Sequence, residues 1–126
     1  GATMSDYGRL YRTYGGNVVD VQLPTAEPLL IEAASTTKRI CLLEATFTPS
    51  EYTTCVLAFV DSVTNEIVGT ITVPDGGPGV VEGSNQFVLK WGPSGAKLSA
   101  GANLLLSIVS GGAAGRLHIE ACQKNN

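Results

Sequence analysis

The chain has 126 residues, one domain by size, and a compact chain of that length buries roughly two-thirds of its unfolded surface. Apolar residues make up 44% and charged residues 15%, with 15 glycines, which favours β structure over a helical bundle or disorder. A net charge of -3 removes the electrostatic basis for nucleic-acid binding, and the low charged fraction suggests a surface partly covered by a partner.

Gly1-Ala2-Thr3 before Met4 reads as a cloning scar over residues 1–3, with the native start expected at Met4. No apolar signal region follows, and no run reaches the roughly 18 apolar residues of a membrane helix. The expectation is a protein made in the cytosol, with nothing in the chain that directs export and no membrane partner. Residues 4–16 hold Tyr7, Tyr11 and Tyr14 together with Arg9 and Arg12. This segment reads as an N-terminal edge strand or as an arm that docks on a neighbouring subunit. Tyrosine and arginine suit the second role, since they bring contact area and fork-shaped donors to interfaces.

A single β-sandwich domain is expected over 17–124. Asn17–Leu23 alternates Val19, Val21 and Leu23 against Val18, Asp20 and Gln22, which predicts a strand stopped by Pro24. Leu29–Ala33 is a short strand and Ser35-Thr36-Thr37 a loop. Lys38–Thr48 is a long strand, with Cys41, Leu43, Ala45 and Phe47 as the expected inner face. Its other face starts apolar at Ile40 and Leu42 and turns polar at Glu44 and Thr46. Thr53–Ser62 and Glu66–Val73 form a hairpin across Val63-Thr64-Asn65, both arms rich in β-branched residues. Ile67, Ile71 and Val73 are expected inward, and Glu66, Thr70 and Thr72 outward. Pro74–Gly79 is a loop tip and Val80-Val81 a brief edge pairing.

Gln86–Trp91 puts Phe87, Leu89 and Trp91 on one face, and Gly92-Pro93-Ser94-Gly95 ends it. Asn103–Val109 is apolar on both faces, and its length favours a strand covered on both sides. Arg116–Cys122 alternates Leu117, Ile119 and Ala121 against Arg116, His118, Glu120 and Cys122. About eight strands with turn chemistry between them predict an all-β chain, an antiparallel β-sandwich of the jelly-roll or Greek-key kind.

The chemistry is sparse. His118 is the single histidine, and no serine stands in a GxSxG elbow, with Ser107 and Ser110 merely in or beside a strand. His118, Glu120 and Cys122 share a strand face but lack a fourth ligand for a closed zinc site. Asp75–Gly79 matches no phosphate-binding loop. Among carboxylates, Asp61, Glu66 and Glu82 have nothing to single them out. Three cysteines without a CxxC pair argue against a disulfide framework. Cys41 and Cys55 are expected as buried thiols, and Cys122 on a polar face. No catalytic, cofactor-binding or metal-binding residue is predicted, and the chain is expected not to be an enzyme. The partner-binding candidates are Tyr7, Arg9, Tyr11, Arg12 and Tyr14.

Lys38-Arg39-Ile40 opening a long strand, then Phe87–Trp91, the Gly92-Pro93-Ser94-Gly95 corner, the Ser99-Ala100-Gly101-Ala102 approach, Asn103–Val109 and Gly115-Arg116-Leu117-His118-Ile119 form a pattern. It resembles small phage-encoded jelly-roll virion proteins. The resemblance implies a capsid decoration or auxiliary protein, or a fibre tip, assembled in the host cytoplasm and carried on the virion. It also implies a homo-oligomer, a trimer above all, with a capsid or tail protein as partner. The alternative is a receptor- or carbohydrate-binding sandwich using the Pro74–Gly79 and Gly92–Ala96 loops.

Overall fold

The computed structural model describes residues 15–51, 54–74 and 86–125. Nine strands occur among them and no helix. They are β1 (Gly15–Leu23), β2 (Leu29–Ile31), β3 (Lys38–Pro49), β4 (Cys55–Asp61), β5 (Ile67–Val73), β6 (Phe87–Lys90), β7 (Ala96–Lys97), β8 (Leu104–Ser110) and β9 (Gly115–Asn125). All pairings are antiparallel. One sheet runs β1-β9-β3-β6, with β7 also on β3, and the second runs β2-β8-β4-β5.

β6 and β7 lie along the same edge of β3 and act as one interrupted strand. Trp91 N donates to Leu43 O at 3.1 Å, and Leu98 N donates to Ile40 O at 2.8 Å, which carries the ladder past the Gly92–Gly95 corner. The eight strands expected are thus nine, because β7 resumes the ladder after the corner expected to end the sixth. Counted as eight, first pairs with last, second with seventh, third with sixth, and fourth with fifth. The chain is a long two-stranded ribbon whose tip is the β4–β5 turn. Rolling it up brings β9 against β3 and β8 against β4, which is the jelly roll.

The apolar faces of the two sheets meet in one core, with Phe47, Phe59, Leu30, Ile31, Leu57 and Leu117 among its fully buried members. At about 25 cal/mol per Å² of apolar surface buried, such side chains are the main favourable term in folding. The alternation predicted for β1, β6 and β9 holds. Val19, Leu23, Leu117, Ile119 and Ala121 are buried, while Phe87, Leu89 and Trp91 pack on the core with Val88 and Lys90 exposed.

Two expected faces are corrected by bulges. In the β3–β9 register Leu42 opposes Ala121 and Glu44 opposes Glu120, so Leu43 is an extra residue. The inner face is therefore Ile40 and Leu42 before the bulge, then Ala45 and Phe47 after it. Leu43 points out and is 37% exposed; Cys41 is buried but lies outside the core cluster. On β5, Phe59 opposes Gly69 and Val60 opposes Ile67, so Val68 is the extra residue. Val68 packs on the core and Ile67 is exposed. The run Asn103–Val109 is also corrected. Leu104 and Leu106 are buried, but Ile108 and Val109 are exposed. The expected Val80-Val81 pairing lies outside the described residues.

Candidate functional site

The arm residues Tyr7, Arg9, Tyr11, Arg12 and Tyr14 lie outside the described residues. The described chain enters at Gly15, opposite Gln123 on β9, and β1 is the outermost described strand at one edge of the five-stranded sheet.

A groove opens at the flank of the second sheet. β2 has three residues and meets β8 at Leu105 and Leu104, after which Leu106 N donates to Pro28 O at 2.7 Å. Beyond Leu106, no described strand lies beside β8 on that side. The space, about 340 Å³, is lined by Leu23, Pro24, Glu27, Leu106, Ile108 and Ala113, with other residues of 24–28 and 111–113. Val109 is 58% exposed nearby. An open strand flank with apolar residues at its mouth can receive an extended segment through main-chain bonds and side-chain contact.

On the outer face of the first sheet, strand register sets Asp20 of β1 opposite His118 of β9. His118 Nδ1 lies 2.9 Å from Asp20 Oδ1, and Nε2 lies 3.3 Å from Glu120 Oε2. The hydrogen bond to Asp20 is the main influence and raises the imidazole above its usual value; partial burial opposes it, and Glu120 adds to the rise. Glu120 is on this face as the alternation predicts, and Asp20 arrives from a strand 98 residues away. Cys122 is drawn elsewhere, against Cys41, its register partner on β3. Among the described residues no group of three or more His, Cys, Asp or Glu side chains is placed to hold a metal ion.

The loop candidates divide. Of Pro74–Gly79 only Pro74 is described. The Gly92–Gly95 corner is closed by Gly95 N donating to Gly92 O at 3.2 Å. Gly95 has φ +75, and a Cβ there would stand 2.6 Å from Leu42 O and 2.7 Å from Cys41 Sγ. Only glycine fits so close to β3 in that conformation. Trp91 points inward: its indole Nε1 donates to Val68 O at 2.9 Å, and its ring meets Phe59 edge-on at 5.8 Å. Gly69 leaves room for it, since a Cβ there would be 2.9 Å from Trp91 Cζ2.

Of the three carboxylates, Glu82 lies outside the described residues and Glu66 is exposed. Asp61 is 3% exposed and holds the β4–β5 turn. Its Oδ1 accepts from Val63 N at 2.8 Å and Thr64 N at 3.1 Å, and its Oδ2 accepts from Ser99 N at 2.8 Å. Burial pushes the carboxyl upward, but these hydrogen bonds together outweigh it and hold it below the usual value. Gln123 does similar work on β9: its Oε1 accepts from Ala34 N at 2.7 Å and its Nε2 donates to Glu32 O at 3.0 Å. An aspartate two and three residues before turn donors is a visible Asx-turn signal. The contacts to Ser99 and Ala34 have no local signal.

No family model, curated protein or solved structure matches the chain.

Proposed function

We propose that this is a non-enzymatic structural protein of a phage particle, a capsid decoration or auxiliary protein that works through protein contacts. In this reading it is made in the host cytoplasm, carried on the virion and associates as a homotrimer. The observation that carries the reading is the rolled strand order, an architecture used by viral capsid proteins, lectins and cupins alike. Fold analogy alone does not choose among these. The interior supports the structural choice. The space between the sheets is filled by Phe47, Phe59, Leu57, Leu104, Ile119 and their apolar neighbours. A cupin-like use would need that space open and lined with ligating groups, and a lipid-binding use would need it open. Apolar side chains left in solvent, Val18, Val88, Ile108 and Val109 among them, supply surface for contacts.

The receptor- or carbohydrate-binding alternative is favoured by one observation, the groove beside β8. Among the described residues the groove lining has no aromatic ring on which a sugar could stack, and Trp91 is committed to Val68 and Phe59. Quantitative mass spectrometry of purified particles from a lysate of cells carrying the native genome tests the proposal. The chain should be present in many copies per particle; its absence there, with the free chain abundant in the lysate, overturns the reading.

A further inference from the structure

We propose that Cys41 and Cys122 form a thiol–disulfide exchange site within the five-stranded sheet, which a small disulfide such as oxidised glutathione closes into a reversible β3–β9 cross-link. The inference stands on the strand register and is independent of the virion reading. Cys41 and Cys122 are direct cross-strand partners. Their flanking residues Ile40, Leu42 and Ala121 belong to the core cluster, so both thiols project from the opposite, outer face. Directly opposed Cα atoms of antiparallel strands lie about 4.5–5.5 Å apart, inside the range of about 4.4–6.8 Å that a disulfide spans. Cys41 lies close enough to act on the Cys122 thiol.

The surroundings assign the order of events. Cys41 is fully buried, its Sγ capped by Ser94 O at 3.4 Å and by Gly95. Cys122 is half-buried and is the thiol a reagent reaches. Cys55 belongs to β4 in the other sheet, pairs there with Val73, and is buried in the core. The Cys122 thiolate attacks one sulfur of the small disulfide, forming a Cys122 mixed disulfide and releasing one thiolate. The Cys41 thiolate then attacks Cys122 Sγ, the new protein disulfide forms, and the second small thiolate leaves. The protein loses two protons and two electrons, and the small disulfide takes them up as two thiols. Burial first, and the adjacent Cys41 second, push the Cys122 thiol above its usual value, while Lys124 and Lys97 pull it down. The net upward shift lowers the thiolate fraction of Cys122 and slows its attack at neutral pH.

The test uses the full reduced chain with excess oxidised glutathione at mildly alkaline pH, read by intact mass. Glutamyl endopeptidase digestion under non-reducing conditions follows. The mass should fall by two hydrogens, and fragment 33–44 should be joined to fragment 121–126. Dithiothreitol should restore both fragments, and the circular-dichroism spectrum should keep its β signature throughout. Cys55 reports separately, because cleavage after Glu51 and Glu66 places it in fragment 52–66. A glutathione adduct on 121–126 that never resolves would overturn the proposal. So would any link to 52–66, or a folded chain that stays reduced while the guanidinium-unfolded chain reacts.

Discussion

Asp61 is the buried carboxylate on which the tip of the rolled ribbon depends, and replacing it gives a measurable magnitude. Three backbone donors converge on it, from Val63, Thr64 and Ser99. Hydrogen bonds to a charged acceptor contribute about 1.5–3 kcal/mol each, but three sharing one carboxylate do not add in full. Val63 and Thr64 are exposed, so water replaces the lost acceptor there. Ser99 is half-buried and forfeits most of its bond. Asp61→Ala should therefore cost about 3 kcal/mol. Asp61→Asn keeps Oδ1 for the turn but aims an amide at Ser99 N, and should cost about 2 kcal/mol. Urea unfolding followed by circular dichroism measures both, with the slope unchanged and the midpoint lowered. In a chain of this size the alanine variant should melt roughly 9–15 °C lower. The sign with pH is fixed by the depressed folded value. Asp61's contribution is present above its ordinary value of 3.8 and lost as pH falls through the lower folded value. Asp61→Asn should remove that part of the acid sensitivity. An alanine variant within about 0.5 kcal/mol of the parent would refute the reasoning, since surface changes stay within that band.

The bulge at Leu43 separates two neighbouring leucines: Leu42→Ala should cost about 2–5 kcal/mol as a core truncation, and Leu43→Ser under about 0.5 kcal/mol. The reverse order in urea midpoints would restore uninterrupted alternation along β3. His118 should stabilise the β1–β9 edge below its unfolded value of 6.5, with the contribution lost as pH rises through the raised folded value. The effect is small and salt-sensitive because Asp20 and Glu120 are half-exposed. Denaturation midpoints from pH 6 to 9 should show a slope that His118→Gln abolishes; equal slopes would refute the pairing. Light scattering on a size-exclusion column should give three times 13.1 kDa, independent of concentration. A monomer at every concentration would remove the homotrimer.

Alternation was enough to place the faces of β1, β6 and β9, because each has one apolar face and one polar face. It failed on β3 because Ile40 to Leu43 is apolar throughout. A bulge inserts one residue, so counting by two from Phe47 assigns Leu43 and Cys41 inward, whereas β9 forces Leu42 and Ile40 there. Ile67 was misplaced for the same reason, by the extra Val68. The second half of β8 read as covered, but β2 begins only at Leu29, opposite Leu105, and leaves the end of β8 without a described strand on that side. That start is written elsewhere in the chain. The site was legible only in part. Glu120 beside His118 follows from the alternation of one strand, while Asp20 and the Cys41–Cys122 contact come from long-range register, which no local pattern carries.

The virion proposal requires attachment to a particle, and the N-terminal arm is the contact surface expected from the sequence. The direct measurement is rebinding: purified chain is added to particles that lack it, and the copies retained after sedimentation are counted, with the full chain and with one lacking residues 1–16. Saturable retention of the full chain at a fixed copy number, lost in the truncated chain while its β circular-dichroism spectrum persists, is the predicted result. Equal retention of both would contradict the role of Tyr7, Arg9, Tyr11, Arg12 and Tyr14, and no saturable retention of either would contradict the virion reading itself.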